Sequence, residues 1–292
     1  MRRAALNLLL LLTAVMGYAG TPTAGRIENF GFNSRIFGNH RFIRIWLPPG
    51  YDDPKNADYR YPVLYLHDGQ FAYHASATKD MRGDWHADEV AAKLIADGKI
   101  DPIIIVAIDN GGKGERTREY LPVVDAYDSD AKTVVGDRMP NVMFEEIVPF
   151  INSHFRTRTG TDNVAIGGSS FGAVAALYCA IAKQGSVGKL LLESPSLYVH
   201  DGWLFKQLEG VKAWPRKVYI GVGTNEVPNN ADYSREAVDD VVKLEKALKR
   251  AGFDKSNLKV SIQEGTTHNE DAWAGRLPAA LKFLFGKEKP KN

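Results

Sequence analysis

The chain has 292 residues, of which 44% are hydrophobic and 25% are charged, and its formal net charge is +2. These proportions are typical of a globular protein with a substantial core, and the length allows one large α/β domain or two small ones. The near-zero net charge gives no electrostatic reason to expect a nucleic-acid partner.

The first 19 residues differ in character from the rest of the chain. A basic start, Met1–Arg3, precedes the Leu- and Ala-rich run Ala4–Val15, and small residues follow at Gly17 and Ala19. This order predicts a secretory signal peptide over 1–19, with cleavage after Ala19 or as late as residue 24. The apolar run is short for a membrane span, and an uncleaved anchor is the alternative. We therefore expect a periplasmic or secreted protein with no membrane segment after cleavage.

Two early strands are predicted, over Arg26–Asn33 and Arg41–Leu47. Alternation in the second strand puts its aliphatic side chains on one face, which should be buried. Phe42, Arg44 and Trp46 share the opposite face, where a charge lies between two aromatic rings. We expect that face to be only partly covered.

Apolar runs and helical stripes alternate through the remaining chain. Further strands are predicted over 62–66, 102–109, 164–166, 190–192, 217–221 and 258–262, and helices over 85–97, 141–155, 174–182, 234–251 and 271–285. Unbroken apolar strands are typical of parallel sheets that are covered on both faces. The alternation predicts an α/β fold with a single doubly wound, mostly parallel sheet and helices on both faces. We expect one domain over 26–286 and a charged, frayed tail over 287–292.

Two segments depart from this regular alternation. The segment 111–138 is long, charged and rich in turn-forming residues. A loop of that size in a compact domain is usually functional or mobile. The helix predicted over 141–155 contains Pro149, which should interrupt it.

The stretch Val164–Ala173 carries the strongest chemical signal. Its apolar run ends in a Gly-x-Ser-x-Gly pattern centred on Ser170, and an apolar helix follows. A strand, a sharp turn and a helix in this order form a nucleophile elbow, which exposes the middle serine on a strained backbone. Gly168 and Gly172 are required because side chains there would collide with the strand and the helix. The bare pattern also occurs by chance in Gly/Ser loops, but the flanking elements favour Ser170 as a nucleophile.

A serine hydroxyl needs a base to take its proton, and the base needs an acid that orients its ring. On sheets of this type the order along the chain is Ser, then Asp or Glu, then His, each after a strand. Ser170, Glu226 and His268 satisfy that order, and of the seven histidines only His268 lies between the last strand and the closing helix. Glu193 and Asp232 remain alternatives for the acid, because they too lie near strand ends.

The oxyanion of an ester-cleaving reaction needs two preorganised N–H donors. We expect the backbone amides of Phe171, which follows the nucleophile, and of Gln70, in the loop after the strand at 62–66. Gly69 should let that loop approach the substrate closely. No cofactor or metal is predicted, because no pair of histidines has zinc spacing and Cys179 is the only cysteine.

Taken together, these motifs resemble the putative-esterase branch of the α/β-hydrolases. That branch includes enterochelin and other siderophore esterases, feruloyl and acetyl-xylan esterases, and S-formylglutathione hydrolases. The resemblance runs from about Arg41 to Phe285. The residues that carry it are Tyr65–Gln70, Trp85, Asp88–Glu89, Ile108–Asn110, Arg116, Arg118–Tyr120, Ile166–Gly172, Ser194–Ser196, Gly223–Glu226 and His268–Trp273.

The resemblance implies an α/β-hydrolase fold and the same triad and oxyanion residues that the motifs indicate. Trp85 and Arg116 resemble substrate-binding or loop-anchoring residues of the family. A packed aromatic ring and a structural ion pair are the alternatives for these two positions. Some siderophore esterases of the branch work with only serine and histidine, so Glu226 is either a required or a dispensable third member.

These observations predict an exported serine esterase that hydrolyses carboxylic esters through an acyl-enzyme. A siderophore ester, or a feruloyl or acetyl ester of a carbohydrate, would suit the aromatic residues of 71–85 and the polar residues of 111–138. Two other functions stay open: an acyltransferase that uses the same site, and a non-catalytic binding protein on the hydrolase fold. A small-molecule or carbohydrate-linked ester is therefore the expected partner.

Overall fold

The structure is a computed structural model that describes residues 24–73, 83–112, 114–125 and 132–287. The predicted signal peptide over 1–19 lies outside the described residues. So does the predicted tail, apart from Lys287. Within the described ranges, no helix is both long enough and apolar enough to span a bilayer.

Eight strands form one sheet across the described residues. They are β1 Arg26–Ser34, β2 Asn39–Leu47, β3 Val63–His67, β4 Ile104–Ile108, β5 Val164–Ser169, β6 Lys189–Glu193, β7 Lys217–Gly223 and β8 Leu258–Gln263. Their order in the sheet is β1-β2-β4-β3-β5-β6-β7-β8. The β1–β2 and β2–β4 pairs are antiparallel, and all pairs from β4–β3 to β7–β8 are parallel. The predicted mostly parallel sheet is therefore confirmed.

Helices cover both faces of the sheet, as predicted. They are α1 Ala87–Ala96, α2 Glu115–Tyr120, α3 Met139–Asn141, α4 Val148–His154, α5 Phe171–Ala182, α6 Val199–Leu208, α7 Ala231–Arg250 and α8 Glu270–Phe285. In β3, Val63 and Tyr65 join the core under α5 and α7, whereas Leu64 and Leu66 join the core under α1 and α8. Side chains alternate across a strand, so an unbroken apolar run supplies both cores at once.

The outer strand β2 departs from the expected pattern at one residue. Phe42 is exposed and Arg44 half-buried, which confirms a partly covered face at these two positions. Trp46 was expected on the same face, but it is buried. Its ring joins the α1/α8 core, and its indole N–H donates to the carbonyl of Ala24 at 3.0 Å. The expectation for Trp46 is therefore wrong, because the helical layer reaches over this end of β2.

Pro149 changes the type of its helix rather than ending it. Between α3 and α4 the backbone forms a π-helical segment, Val142–Ile147. Pro149 then lies in the first turn of α4. A proline in a first turn removes no hydrogen bond that α4 would otherwise make, and π-type turns, although rare, occur mostly as single turns within α-helices.

Two helices lie where the sequence patterns predict none. Helix α2 falls in the segment expected to be a loop, and it buries Glu119 and Tyr120 against the rest of the fold. Helix α6 follows β6, and its residues His200, Asp201 and Gly202 all have left-handed backbone angles. The regular part of α6 beyond this kink is too short to show a helical periodicity, so the sequence pattern could not reveal this helix.

Candidate active site

The residues predicted to do chemistry all follow parallel strands. Ser170 comes directly after β5, Glu226 follows β7, and His268 follows β8. Carboxyl ends of parallel strands lie on one edge of the sheet, which is where α/β proteins bind ligands. The structure therefore brings the three side chains to a shared edge, although 98 residues separate the first from the last.

Ser170 has the strained backbone that an elbow requires. Its angles are φ 56° and ψ −127°, a region that non-glycine residues rarely adopt. A Cβ atom at Gly168 would lie 2.7 Å from a backbone carbon of Gly172, and one at Gly172 would lie 3.1 Å from the carboxylate of Asp68. Side chains at both positions would thus be crowded, and the turn needs glycine on either side of the serine.

His268 and Glu226 form a short hydrogen bond. The imidazole Nδ1 lies 2.5 Å from Oε2 of Glu226, and the backbone N–H of His268 donates to the Glu226 carbonyl at 3.0 Å. A carboxylate beside Nδ1 favours the tautomer that is protonated there, which leaves Nε2 able to accept a proton. The pair therefore has the geometry of an oriented general base.

The other oxygen of the Glu226 carboxylate is fixed as well. Oε1 accepts hydrogen bonds from the N–H of Gly223 at 2.6 Å and from the hydroxyl of Ser194 at 2.8 Å. Burial raises the pKa of Glu226, but the bonds from His268, Gly223 and Ser194 outweigh burial and leave the pKa below its ordinary value. The carboxylate is thus ionised and unable to rotate freely.

Two further residues, for which the sequence patterns predict no role, support this pair. The indole N–H of Trp273 donates to the Ser194 hydroxyl at 3.0 Å, and the same ring meets the His268 ring edge to face at a centroid distance of 5.3 Å. Both residues belong to motifs that carry the family resemblance. Their position directly after β6 and at the start of α8 was the available signal.

The structure distinguishes between the three candidate acids. Glu193 is fully buried and pairs with Arg276 at 2.7 Å, and burial raises its pKa to about 7 although the guanidinium lowers it. Asp232 is exposed and pairs with Arg235. Only Glu226 contacts the imidazole among these three.

The Ser170 hydroxyl has a second serine as its neighbour. Its Oγ lies 3.3 Å from the Oγ of Ser196, which is its hydrogen-bond partner within the described residues. Ser196 also lines a cavity of about 550 Å³ whose wall includes His268 and Glu226. Ser196 therefore links the candidate nucleophile to the cavity on which the candidate base lies.

The two predicted oxyanion donors lie in the first turns of helical segments. Phe171 is the first residue of α5, where a helix amide has no acceptor within its own helix. Gln70 is the second residue of a 3₁₀ turn, Gly69–Phe71, whose own bonds begin with the N–H of Phe71. Neither amide therefore donates a hydrogen bond within its own helical segment. This arrangement is compatible with the predicted role, which stays a prediction.

Gly69 packs closely against a neighbouring strand. A Cβ atom there would overlap the backbone of Ala107 and Ile108 at the end of β4. Its side of the turn therefore packs against the sheet. This close packing explains why glycine is needed at the position. The expected approach of the turn to a substrate stays a prediction.

Arg116 anchors the turn that carries Gln70. Its guanidinium makes two hydrogen bonds of 2.8 Å to the buried carboxylate of Asp68, the residue before the turn. The same guanidinium lies 5.5 Å from the ring centroids of Tyr120 and Phe171. Arg116 thus joins both oxyanion segments, which favours the loop-anchoring alternative over direct substrate contact.

Trp85 packs behind the site. It is 5% exposed, belongs to the α1/α8 core, and lies 5.9 Å from Trp273 between ring centroids. The ring therefore supports Trp273, which in turn contacts His268. This placement favours the packed-aromatic alternative, and a substrate contact by Trp85 stays a prediction.

Metal binding has no visible support at this site. Among the residues that the structure describes, no group of three or more His, Cys, Asp and Glu side chains could hold a metal ion. Cys179 is buried in α5.

Comparison with known proteins identifies the family of the chain. The family model described as "Putative esterase" matches residues 34–284. The chain belongs to that family. The match covers every strand from β2 to β8, together with all three predicted triad positions.

One protein of similar sequence is a named enzyme. An endo-1,4-beta-xylanase/feruloyl esterase of Xylanibacter ruminicola is 27% identical over 262 residues, which are 89% of this chain and 31% of that protein. This chain therefore spans about a third of the length of that relative.

Solved structures share the fold at low sequence identity. The enterobactin esterase of Shigella flexneri is 19% identical with a TM-score of 0.63, over 88% of this chain and 59% of that one. The siderophore hydrolase EstB of Aspergillus nidulans is 18% identical with a TM-score of 0.69, over 92% and 97%. These likenesses confirm the α/β-hydrolase fold.

Proposed function

We propose that this chain is a serine esterase that hydrolyses carboxylic esters through an acyl-enzyme. The observation that carries the proposal is the 2.5 Å contact between Glu226 and His268 at the sheet edge where the strained Ser170 lies. Membership in the esterase family supports the reaction class.

In the first half of the reaction, Ser170 Oγ attacks the ester carbonyl carbon while its proton passes to Nε2 of His268. Glu226 stabilises the imidazolium that forms. The amides of Gln70 and Phe171 donate to the oxyanion, and each such donor typically contributes about 3 kcal/mol to transition-state stabilisation. The carbon–oxygen bond to the alcohol then breaks, and His268 returns the proton to the departing oxygen.

In the second half, water replaces the alcohol. His268 takes a proton from the water, whose oxygen attacks the acyl carbon of the Ser170 ester. The acyl–serine bond then breaks, the acid is released, and His268 returns its proton to Ser170 Oγ. An acceptor alcohol in place of water would give acyl transfer, so product analysis separates an esterase from an acyltransferase.

The test compares two adjacent serines. Ser170→Ala should abolish hydrolysis of p-nitrophenyl acetate and labelling by a fluorophosphonate, with an unchanged circular dichroism spectrum. Ser169→Ala is the matched control, because Ser169 is 3% exposed and ends β5. It should keep its label. Wild-type turnover in folded Ser170→Ala would overturn the proposal, and absence of labelling in the wild type would favour a non-catalytic binding protein.

We also propose that the protein is exported. Residues 1–19 support this, because a basic start, an apolar run and small residues stand in the order of a secretory signal. N-terminal sequencing of protein recovered from the periplasm or medium should give a start between residues 20 and 25. Recovery of cell-associated protein that retains Met1 would contradict export.

For the acyl group, the relatives favour an aromatic acid. A feruloyl esterase, which is named for an aromatic acyl group, is among the similar proteins. We propose the same acyl class here. A panel of acetyl, butyryl, feruloyl and siderophore esters tests it, and cleavage of short acetyl esters alone would contradict it.

A further inference from the structure

A cavity of about 550 Å³ is lined by two of the three candidate triad residues, Glu226 and His268. His268 and Ser196 line it, whereas the oxyanion residues Gln70 and Phe171 are absent from its described lining. Its volume lies within the range of small-molecule pockets in proteins. The cavity is thus on the imidazole side of the candidate nucleophile.

The side of the cavity indicates which half of an ester would enter it. The base returns its proton to the departing alcohol oxygen, so the alcohol must lie against the imidazole when the ester bond breaks. The carbonyl oxygen lies at the oxyanion donors instead. A cavity lined by His268 and by neither donor therefore suits the alcohol part of the substrate.

The wall contributed by α6 and α7 is strongly acidic. Its charged residues beyond Glu226 are Asp201, Glu236, Asp239, Asp240 and Lys243. None of these four carboxylates forms a salt bridge within the described residues. The ammonium of Lys243 lies 3.9 Å from the ring centroid of Phe205, so its charge is directed to that ring.

Asp240 is the most buried of these four carboxylate residues. It is half-buried, and Asp201, Glu236 and Asp239 are exposed at the rim. Burial raises the pKa of Asp240, although Lys243 lowers it. A cation in the cavity would offset the cost of keeping this carboxylate charged.

Aromatic rings complete the wall. Tyr198 and Tyr233 both line the cavity and meet edge to face at a centroid distance of 5.8 Å. Tyrosine faces attract cations and also accept apolar groups. Carboxylates beside aromatic rings favour a positively charged organic group over a purely polar one.

We propose that this cavity receives the alcohol part of the ester and selects an alcohol that carries a positive charge. The inference rests on the proposed esterase function, since the acidic wall alone would not define a site. It also narrows the substrate class, because a ferric catecholate complex or an ester of a carboxylate-bearing alcohol would be repelled by the same wall.

The probes are three acetate esters that differ in the charge of the alcohol. They are 2-(trimethylammonio)ethyl acetate, its uncharged isostere 3,3-dimethylbutyl acetate, and the anionic acetate ester of 4-hydroxybutanoate. Acetic acid release is followed in a pH-stat. We expect kcat/KM to fall from the cationic to the neutral to the anionic ester, and the preference to shrink as salt screens the charges.

Variants assign the preference to the wall. The double variant Glu236→Gln, Asp240→Asn should lower the cationic-to-neutral ratio of kcat/KM by about five-fold, the sum expected of two partly exposed charges. Comparing one ratio between proteins cancels the different intrinsic reactivities of the esters. The matched control is Glu209→Gln, which removes an exposed carboxylate directly after α6 and away from the cavity, and should leave the ratio unchanged.

The possible outcomes distinguish a failure of this inference from a failure of the proposed esterase function. If the wild type cleaves neither p-nitrophenyl acetate nor any ester of the acyl panel, the esterase proposal fails and the inference with it. If p-nitrophenyl acetate is cleaved but the three probes show no charge preference, or the double variant keeps the wild-type ratio, the esterase stands and the acidic pocket is refuted. A drop in the ratio for Glu209→Gln as large as for the double variant would also refute it.

Discussion

Replacing Glu226 by Gln tests the base most directly. The side chain keeps its shape, and its carbonyl oxygen can still accept from Gly223 and Ser194. Its amide NH₂ then faces Nδ1 of His268, where the carboxylate oxygen lay at 2.5 Å. An amide donor favours the tautomer with the proton on Nε2, which cannot take a proton from Ser170.

Two effects set the size of the loss. With charge centres about 4 Å apart and an effective dielectric constant of about 20, the carboxylate stabilises the imidazolium by about 4 kcal/mol. That energy corresponds to about three orders of magnitude in rate. The unfavourable tautomer adds to it, and removal of the charge in a serine–histidine–acid triad of another enzyme costs about 10⁴-fold in kcat. We expect Glu226→Gln to lower kcat by about 10³- to 10⁴-fold with a small change in KM.

The assay is steady-state hydrolysis of p-nitrophenyl acetate at neutral pH, with thermal unfolding to show that the variant is folded. Asp232→Asn is the matched control, because Asp232 is an exposed carboxylate of α7 that pairs only with Arg235 among the described residues. It should stay within about two-fold of the wild type. If folded Glu226→Gln keeps more than about a tenth of the wild-type kcat, a serine–histidine dyad is sufficient and our reasoning on Glu226 is wrong.

Three further predictions follow from buried groups. Arg116→Met leaves the buried Asp68 carboxylate with the Asn110 amide but without its charged partner. It should lower the free energy of unfolding, measured in urea, by about 3 kcal/mol, whereas exposed Lys93→Met should cost under about 1 kcal/mol. The pKa of Glu226 in the folded protein lies below its ordinary 4.5, so the ionised carboxylate stabilises the fold fully above that pH and progressively less as the pH falls. The wild type should therefore lose more stability than Glu226→Gln between about pH 5 and 3. Burial raises the pKa of Cys179, so a thiol reagent should modify one thiol per chain after unfolding and none before. Equal losses in either comparison, or a reactive native thiol, would contradict the respective argument.

Local patterns predicted the parts of the fold that local physics determines. Unbroken apolar runs marked the parallel strands because such strands are covered on both faces. The Gly-x-Ser-x-Gly pattern marked the turn at Ser170 because only glycine fits beside the strand and the helix at Gly168 and Gly172. Trp46 was misplaced, since its burial depends on a helical layer that approaches from elsewhere in the chain.

The choice between Glu193 and Glu226 needed contacts between distant residues. Both follow strand ends, so the rule on chain order treats them alike. What separates them is Arg276, which lies 83 positions beyond Glu193 and neutralises it. No spacing pattern in the sequence predicts that ion pair. The same holds for α6, whose left-handed residues at its start remove the periodicity that identifies a helix.

Hydrogen bonds across the sheet explain how the site tolerates its strain. Ser170 has φ 56° and Ser194 has φ 41°, and each such residue costs on the order of 1–3 kcal/mol. The N–H of Ser170 donates to the carbonyl of Glu193 at 2.9 Å, and the N–H of Ser194 donates to that of Gly221 at 2.7 Å. Each strained residue is therefore held by the neighbouring strand, one step beyond the regular pairing. Because the Ser194 hydroxyl also bonds Glu226, a shift of β6 should displace the candidate nucleophile and the candidate acid together.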